Sequence, residues 1–380
     1  MQPPSSVPIS SVSLHAVRIP IHIPFSISNG TMHSADSIFI VLTDANGKQG
    51  VGECAPFPSL TGDTVQTAFP ALNALRSSIQ GKEVNAALHL LLSKLRKEYS
   101  TAPSALTGLE MALWDLKAKQ SHVSLAGLWG CSIQQTAETD ITLPIMEKSS
   151  LAGFWKLYSN HGFRIIKVKV GGNSARTDAE RIFELYSSIP EKTLLTLDGN
   201  QGCTVASALE LVEILGRKNL KPLFFEQPLP QDDWKGMSEL TKCSPIPICA
   251  DETVKTSADA LRVIQEKAAH LINLKFMKSG VFETLRIVHV AKAAGMDLMI
   301  GGMLETEVAM SASLHLVCGT GDIRWCDLDT PFFLKAHVTE ASPYHAQKAE
   351  LTLPQGQGLG LTLSQSALFE YRDPTFSRDE

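Results

Sequence analysis

Apolar and polar positions fall into two regimes along the chain. Up to about residue 130, strand patterns come first and helical patterns after. Residues 12–18 and 37–43 read as strands, and Asn46-Gly47 is a hairpin turn joining the second to 50–54. Segment 25–35, rich in Ser, Asn and Gly, reads as a loop between the first two strands. Helical spacing follows within 64–80, closed by Gly81, and within 83–98. A third helix enters at Pro103-Ser104 and puts Leu106, Leu109, Leu113 and Leu116 on one face. This order predicts an α+β unit ending near Gly130.

From about Thr136 short apolar runs alternate with amphipathic helical patterns. The runs are 138–144, 164–170, 194–200, 223–228, 246–252, 271–277, 297–303 and 325–329, with helical spacing at 177–187, 205–217, 257–266 and 281–294 among them. Eight such units in sequence predict a closed parallel α/β barrel of the (β/α)8 type. An open doubly wound sheet fits less well, because no glycine-rich phosphate turn follows the first strand. Gly356, Gly358 and Gly360 have neither the strand before nor the helix after that a dinucleotide site needs. The expected organisation is an N-terminal α+β domain over 1–132 and a barrel over 133–340. A tail over 341–380, made of strand-like pieces and turns, is expected to pack back on the first domain.

Composition narrows the classes without choosing among them. The chain has 380 residues, 44% hydrophobic and 19% charged, with a net charge of −5 and no basic block, so neither nucleic acid nor an anionic membrane is an expected partner. No apolar run approaches the roughly 20 residues that span a bilayer. Seven scattered cysteines without a Cys-x-x-Cys pair suit a reducing compartment. The first thirteen residues carry no basic-then-apolar leader, so a cytoplasmic protein is expected, with a trimmed organelle precursor as the alternative.

The chemistry lies at the carboxyl ends of the barrel strands. The second ends with Lys167 and Lys169, the third with Asp198 and Asn200, the fourth with Glu226, and the fifth with Asp251 and Glu252. The sixth carries Lys275 and the eighth Asp327 and Asp329. Asp198, Glu226, Asp251 and Lys275 are spaced by 28, 25 and 24 positions, about one βα unit each, which places them on consecutive strands at the face where barrel sites are built. Any one of these acids could be a solvated loop charge, but the aligned series is hard to explain that way. Carboxylates from three neighbouring strands form an all-oxygen set suited to Mg²⁺, one per subunit, and no His or Cys falls where a Zn²⁺ site would need it.

Lys167 and Lys169 alternate onto one strand face. An edge strand with solvated lysines is the plain reading; a pair of catalytic ammoniums is the sharper one. A cationic neighbour about 6 Å away, at effective dielectric about 20, costs about 3 kcal/mol, or roughly two pKa units, so Lys167 beside Lys169, with a metal nearby, is expected to supply the lowering that a neutral base needs. Lys275 stands four strands away. Bases on opposite faces of one carbon suit removal of a proton from one side and its return from the other.

Those residues resemble the enolase superfamily, and within it the muconate-lactonizing subgroup. The likeness rests on Lys167-Val168-Lys169, Asp198-Gly199-Asn200, Phe225-Glu226-Gln227-Pro228, Ala250-Asp251-Glu252 and Asn273-Leu274-Lys275 before Ser279-Gly280. It covers nearly the whole chain and implies a modified barrel of (β/α)7β type under a capping domain, assembled as a homo-oligomer. It also implies Asp198, Glu226 and Asp251 as Mg²⁺ ligands, Asn200 and Glu252 as their supports, and Lys169 and Lys275 as the two acid/base groups, with Lys167 beside them and Lys278 structural. Cys326-Asp327-Leu328-Asp329 looks like the Asp-x-Asp motif with which dipeptide epimerases bind a substrate α-ammonium. Alternation would put both carboxylates on one face, where a site without an ammonium would leave them uncompensated.

The implied activity is inversion of the α-carbon of a dipeptide's C-terminal residue by two-base 1,1-proton transfer through a metal-stabilised enolate. o-Succinylbenzoate synthase, N-acylamino acid racemase and muconate-type cycloisomerase chemistry are the alternatives, and a non-catalytic carboxylate-binding protein is a remote one. Specificity in this subgroup is shaped by the capping loop, here 25–35, and the end of strand seven, here Met303 and Leu304, with Thr142 a further lining residue. The arginine by which Ala-Glu epimerases meet a glutamate side chain is missing from 25–38, with Gly30 standing at its place and His33 the candidate replacement. Small or apolar C-terminal residues are therefore expected at least as readily.

Overall fold

Long apolar alternation near the N-terminus pairs into an antiparallel sheet of β1 (Ile9–Ile27), β2 (Gly30–Asp44) and β3 (Gln49–Cys54). The computed structural model describes residues 7–27, 30–130 and 134–376. In β2 both faces are buried: Phe39 and Val41 join the core shared with the barrel, while Ile38, Ile40 and Leu42 join a second core. That second core is completed by the helices Val65–Ile79 and Pro103–Gln120 and by the 84–98 segment, whose middle, Leu91–Leu95, is a π turn.

The segment 25–35 is not a loop. β1 and β2 lose register between Pro20 and Phe25, then pair again, with Phe25 opposite Met32 and Ser26 opposite Thr31. Ser26 and Thr31 also share a hydroxyl hydrogen bond of 2.8 Å. Strand pairing thus runs to Ile27 and from Gly30; residues 28–29 between them lie outside the described residues, as do the 1–6 part of the N-terminal tail and the expected boundary at 132–133.

The barrel strands are β5 (Ile141–Leu143), β6 (Ile165–Lys169), β7 (Leu194–Asp198), β8 (Phe225–Glu226), β9 (Ile248–Ala250), β10 (Leu271–Leu274), β11 (Asp297–Gly301) and β12 (Trp325–Asp327), hydrogen-bonded in chain order. A parallel bridge between Thr139 and Cys326, with the Asp140 N–H donating to the Cys326 carbonyl at 3.0 Å, closes the ring. An α-helix of ten or more residues follows each of the first seven strands, and only a 3-10 turn, Thr330–Phe333, follows β12, which gives the (β/α)7β form.

Two expected runs resolve differently. The first splits: β4 (Thr136–Glu138) leaves the barrel to pair antiparallel with β13 (Glu350–Thr352), and only β5 enters it. The tail also contains a helix, Gln365–Glu370, and it docks on β1 through Arg18 N–H to Tyr371 and Asp373 N–H to Ala16. No helix among the described residues is long and apolar enough to cross a membrane.

Candidate active site

Parallel register carries the polar groups to one rim. Thr142 is the Cα partner of Lys167, Lys169 of Asp198, and Asp198 of Glu226, so these side chains share the barrel's inner face. Strands end early here: Asn200, Asp251, Glu252, Lys275 and Asp329 all lie just beyond them, on turns. Asn200 and Gln227 take positive φ of 39° and 28°, folding the chain back over the rim. The Gln227 side chain then braces the next turn, accepting the N–H groups of Asp251 at 2.9 Å and Thr253 at 3.2 Å.

The lysines are buried, which removes the edge-strand reading: Lys167 is 2% exposed, Lys169 7% and Lys275 6%. Lys169 Nζ donates to Asp198 Oδ2 at 2.5 Å and Lys275 Nζ to Asp251 Oδ2 at 2.6 Å. Lys167 Nζ donates to Asp327 and lies 3.6 Å from Glu226 Oε2 and 3.8 Å from Asp198 Oδ2. Lys278 Nζ grips Asp251 twice, at its carbonyl (2.6 Å) and at Oδ1 (2.8 Å), and also reaches the Asn273 carbonyl at 2.9 Å.

For Lys167 and Lys275 this environment raises the pKa. Burial pulls Lys167 down, but Asp327, Glu226, Asp198 and Asp140 together hold it well above the ordinary lysine value. Lys275 is likewise depressed by burial and raised overall by Asp251 and Glu226. In both cases the neighbouring carboxylates outweigh burial, and their sign decides.

The acids are less evenly served. Burial would raise Asp251, yet Lys275 and Lys278 hold it well below the usual carboxylate range. Burial, then the charge of Asp198, pushes Glu226 up to about 8, and burial with Asp251 pushes Glu252 up to about 7. Asn273 Nδ2 donates to Glu226 Oε1, while Glu226 Oε2 and Glu252 Oε2 are buried without a hydrogen-bond partner. Asn200 supports both sides of the cluster, its N–H donating to Asp198 Oδ1 at 2.9 Å and its Nδ2 facing Glu252 Oε1 at 3.4 Å. Oxygen donors in excess of the ammoniums, with a buried carboxylate oxygen left over, fit a hard divalent cation.

Opposite stands a second acidic group. Asp329 Oδ2 accepts the Thr142 N–H at 2.5 Å, and Asp327 Oδ1 accepts the Thr142 hydroxyl at 3.2 Å. Oxygens of Asp140, Asp327 and Asp329 lie within 4.8 Å of one another, and Asp140 Oδ1 is buried without a hydrogen-bond partner. Strand alternation is not what aligns the pair: β12 stops at Asp327, and Asp329 sits in a helical turn with φ −91° and ψ −12°. Nor are both uncompensated. Lys167 holds Asp327 below its usual value against the cost of burial, whereas burial and Asp327 push Asp329 up to about 7.

One cleft collects Lys167, Lys169, Lys275, Asn200, Glu252, Thr142, Asp327, Asp329, Met303 and Leu304. Asp198, Glu226 and Asp251 are fully buried beneath it. Its outer wall is apolar: Phe25 and Met32 from the hairpin tip, then Phe57 and Leu60. His33 follows Met32 on the strand, so it points the other way and is exposed. Asp140 and Asn273 were legible by one further step, since each lies two positions before an identified residue, Thr142 and Lys275, and alternation puts it on the same face. Phe57 and Leu60 gave no such signal, because they follow the last strand of another sheet.

Residues 152–367 match the enolase C-terminal domain-like family, and residues 9–130 match the mandelate racemase/muconate lactonizing enzyme N-terminal domain. An aromatic dipeptide epimerase of Herpetosiphon aurantiacus is 35% identical over 87% of this chain and 92% of its own. A hydrophobic dipeptide epimerase of Citrifermentans bemidjiense is 31% identical over 94% and 98%. Among solved structures, the dipeptide epimerase of Enterococcus faecalis, complexed with Mg and the dipeptide L-Leu-L-Tyr, superposes with a TM-score of 0.88 at 28% identity, covering 93% of this chain and 99% of that one.

Proposed function

The chain belongs to the mandelate racemase/muconate lactonizing enzyme family of the enolase superfamily, as an isomerase of the dipeptide epimerase kind, and on that premise we propose its reaction and substrate. It inverts the α-carbon of the C-terminal residue of a dipeptide whose C-terminal side chain is uncharged and apolar. The observation that carries the reading is the placement of Lys169 and Lys275 four strands apart across one cleft, with the Asp198, Glu226 and Asp251 carboxylates between them.

Asp198, Glu226 and Asp251 would hold Mg²⁺, with Asn200 and Glu252 orienting them, and the ion would supply positive charge against the charge that develops on the dipeptide's carboxylate. Lys169 takes or returns that proton on one face and Lys275 on the other. Lys167 stays charged between Glu226 and Asp327 and offers its ammonium to the substrate carboxylate. Asp329, Asp327 and the unpartnered Asp140 oxygen receive the α-ammonium, which supports a dipeptide over an amine-free dicarboxylate. Thr142 fixes the Asp pair, while Phe25, Met32, Phe57, Met303 and Leu304 enclose the side chain.

Incubation of L-Ala-L-Phe and L-Ala-L-Glu with Mg²⁺ in D₂O, read by mass, tests this. Deuterium enters the C-terminal α-position of the apolar dipeptide, and the glutamate substrate lags by about tenfold or more, since its carboxylate meets no cation on an apolar wall. Lys169→Ala and Lys275→Ala each cut epimerisation by at least about 100-fold. Full turnover in either variant refutes the two-base assignment, and equal use of L-Ala-L-Glu refutes the side-chain preference.

A further inference from the structure

We propose that Glu307, His337 and His345 form a second metal site, for a transition-metal dication of the zinc class. None of the three lines the substrate cleft, and the proposal stands independently of the epimerase reading.

Glu307 opens the helix Glu307–Thr320 and is fully buried. Its Oε1 is saturated: the N–H groups of Val338 (2.6 Å) and Thr339 (3.0 Å) and the Thr339 hydroxyl (3.0 Å) all donate to it. Its Oε2 has no hydrogen-bond partner, although it is equally buried. His337 Nδ1 faces that oxygen at 3.7 Å, too far for a hydrogen bond, and is itself buried and unpartnered. His345, exposed on the 3-10 turn Pro343–Ala346, brings its ring to a centroid distance of 4.3 Å from His337. One ligand atom from each of the three lies within 4.8 Å of the others.

A carboxylate oxygen and imidazole nitrogens that converge at these distances, without a hydrogen bond among them, leave room for a cation at the centre. A proton on His337 supplies one charge but leaves the 3.7 Å gap open, and two protonated rings at 4.3 Å repel. Bonds of about 2.0–2.1 Å in a tetrahedral site set neighbouring donors about 3.3 Å apart, so the Glu307–His337 spacing needs only a small contraction. Two nitrogens and one oxygen are borderline-soft donors of the zinc type, and His345 on the solvent side leaves a fourth position for water. The ion would pin the 337–346 segment to the start of the Glu307–Thr320 helix.

The test uses the full chain, stripped with chelator and returned to saturating Mg²⁺ so that hard-cation positions are filled. Titration with Co²⁺ gives the intense visible bands of a tetrahedral site at one equivalent, and Zn²⁺ displaces them and raises the unfolding temperature. His345→Ala, at an exposed position where folding is not at stake, weakens binding by about tenfold or more, and His337→Gln does the same. Absence of tetrahedral bands, or equal affinity in wild type and both variants, overturns the site.

Discussion

At the scale of single residues, the active rim is decided by which carboxylate each ammonium touches. Lys169 on Asp198 and Lys275 on Asp251 are the contacts that must loosen, with loss of the ammonium proton, for either lysine to act as the proposed base. Lys278 has a different task. Its three bonds go to Asp251 and to the carbonyl of Asn273, so it holds the turn after β9 against the end of β10. Removing one partner of a buried ion pair costs about 3–5 kcal/mol, because the remaining charge stays desolvated. Lys278→Met is therefore expected to lose about 3 kcal/mol or more in urea unfolding with chelator present. Excess Mg²⁺, by bringing positive charge to Asp251, recovers part of the loss. Equal stability of variant and wild type in chelator would show that Asp251 does not depend on Lys278.

At the scale of elements, the capping domain depends on a close helix–sheet approach. A Cβ on Gly52 of β3 would stand 2.1 Å from the Gly108 carbonyl oxygen and 2.6 Å from the Ala112 nitrogen, both backbone atoms of the Pro103–Gln120 helix. Backbone cannot give way as a side-chain tip does, so Gly52→Ala is expected to cost about 3 kcal/mol in denaturant unfolding. Gly153→Ala is the matched control: it lies inside the Lys148–Tyr158 helix with nothing within 4 Å, and alanine there should add about 0.5–1 kcal/mol. A gain at both positions would mean that glycine entropy, not contact, governs them. The helix was legible from periodicity and β3 from the Asn46-Gly47 turn, and the barrel strands were legible as short apolar runs, six of them marked by Asp, Glu or Lys at or just beyond their ends. Three features were not. The extension of β1 and β2 through 25–35 depends on cross-strand pairing that Ser, Asn and Gly do not announce. The split of 138–144 depends on a partner, β13, some 200 residues away. The lysine environment depends on distances between strands, which sequence spacing places in order but does not measure.

At the scale of the whole molecule, the tail stitches the cap to the barrel, and His315 is its central fastening. His315 is fully buried in the Glu307–Thr320 helix. Its Nδ1 accepts the Ala126 N–H at 3.2 Å, so the proton resides on Nε2, which donates to the Leu359 carbonyl at 3.1 Å. One neutral ring thus joins the barrel, the end of the cap and the tail. Leu359 is tied again by its N–H to Asp115 Oδ1 at 2.7 Å, on the Pro103–Gln120 helix. A second proton on the ring would point at a donor, in a fully buried place. Burial accordingly lowers the folded pKa of His315 to about 4, with the Leu359 bond a smaller effect in the other direction. Between about pH 4 and 6.5 the unfolded chain binds a proton here that the folded chain refuses, so stability falls as pH drops through that window. The gap between about 4 and the ordinary 6.5 corresponds to about 3 kcal/mol. Other groups titrate in the same range, so the measurement is a difference. His315→Gln removes the titration while keeping a donor and an acceptor, and it should be less stable than wild type at pH 7 by about 1–3 kcal/mol. The stability difference between the two proteins should then shift by about 3 kcal/mol in the variant's favour on going from pH 7 to pH 4. A difference that stays constant across that range would mean that His315 takes up its proton as readily in the folded chain as in the unfolded one, against the burial argued here.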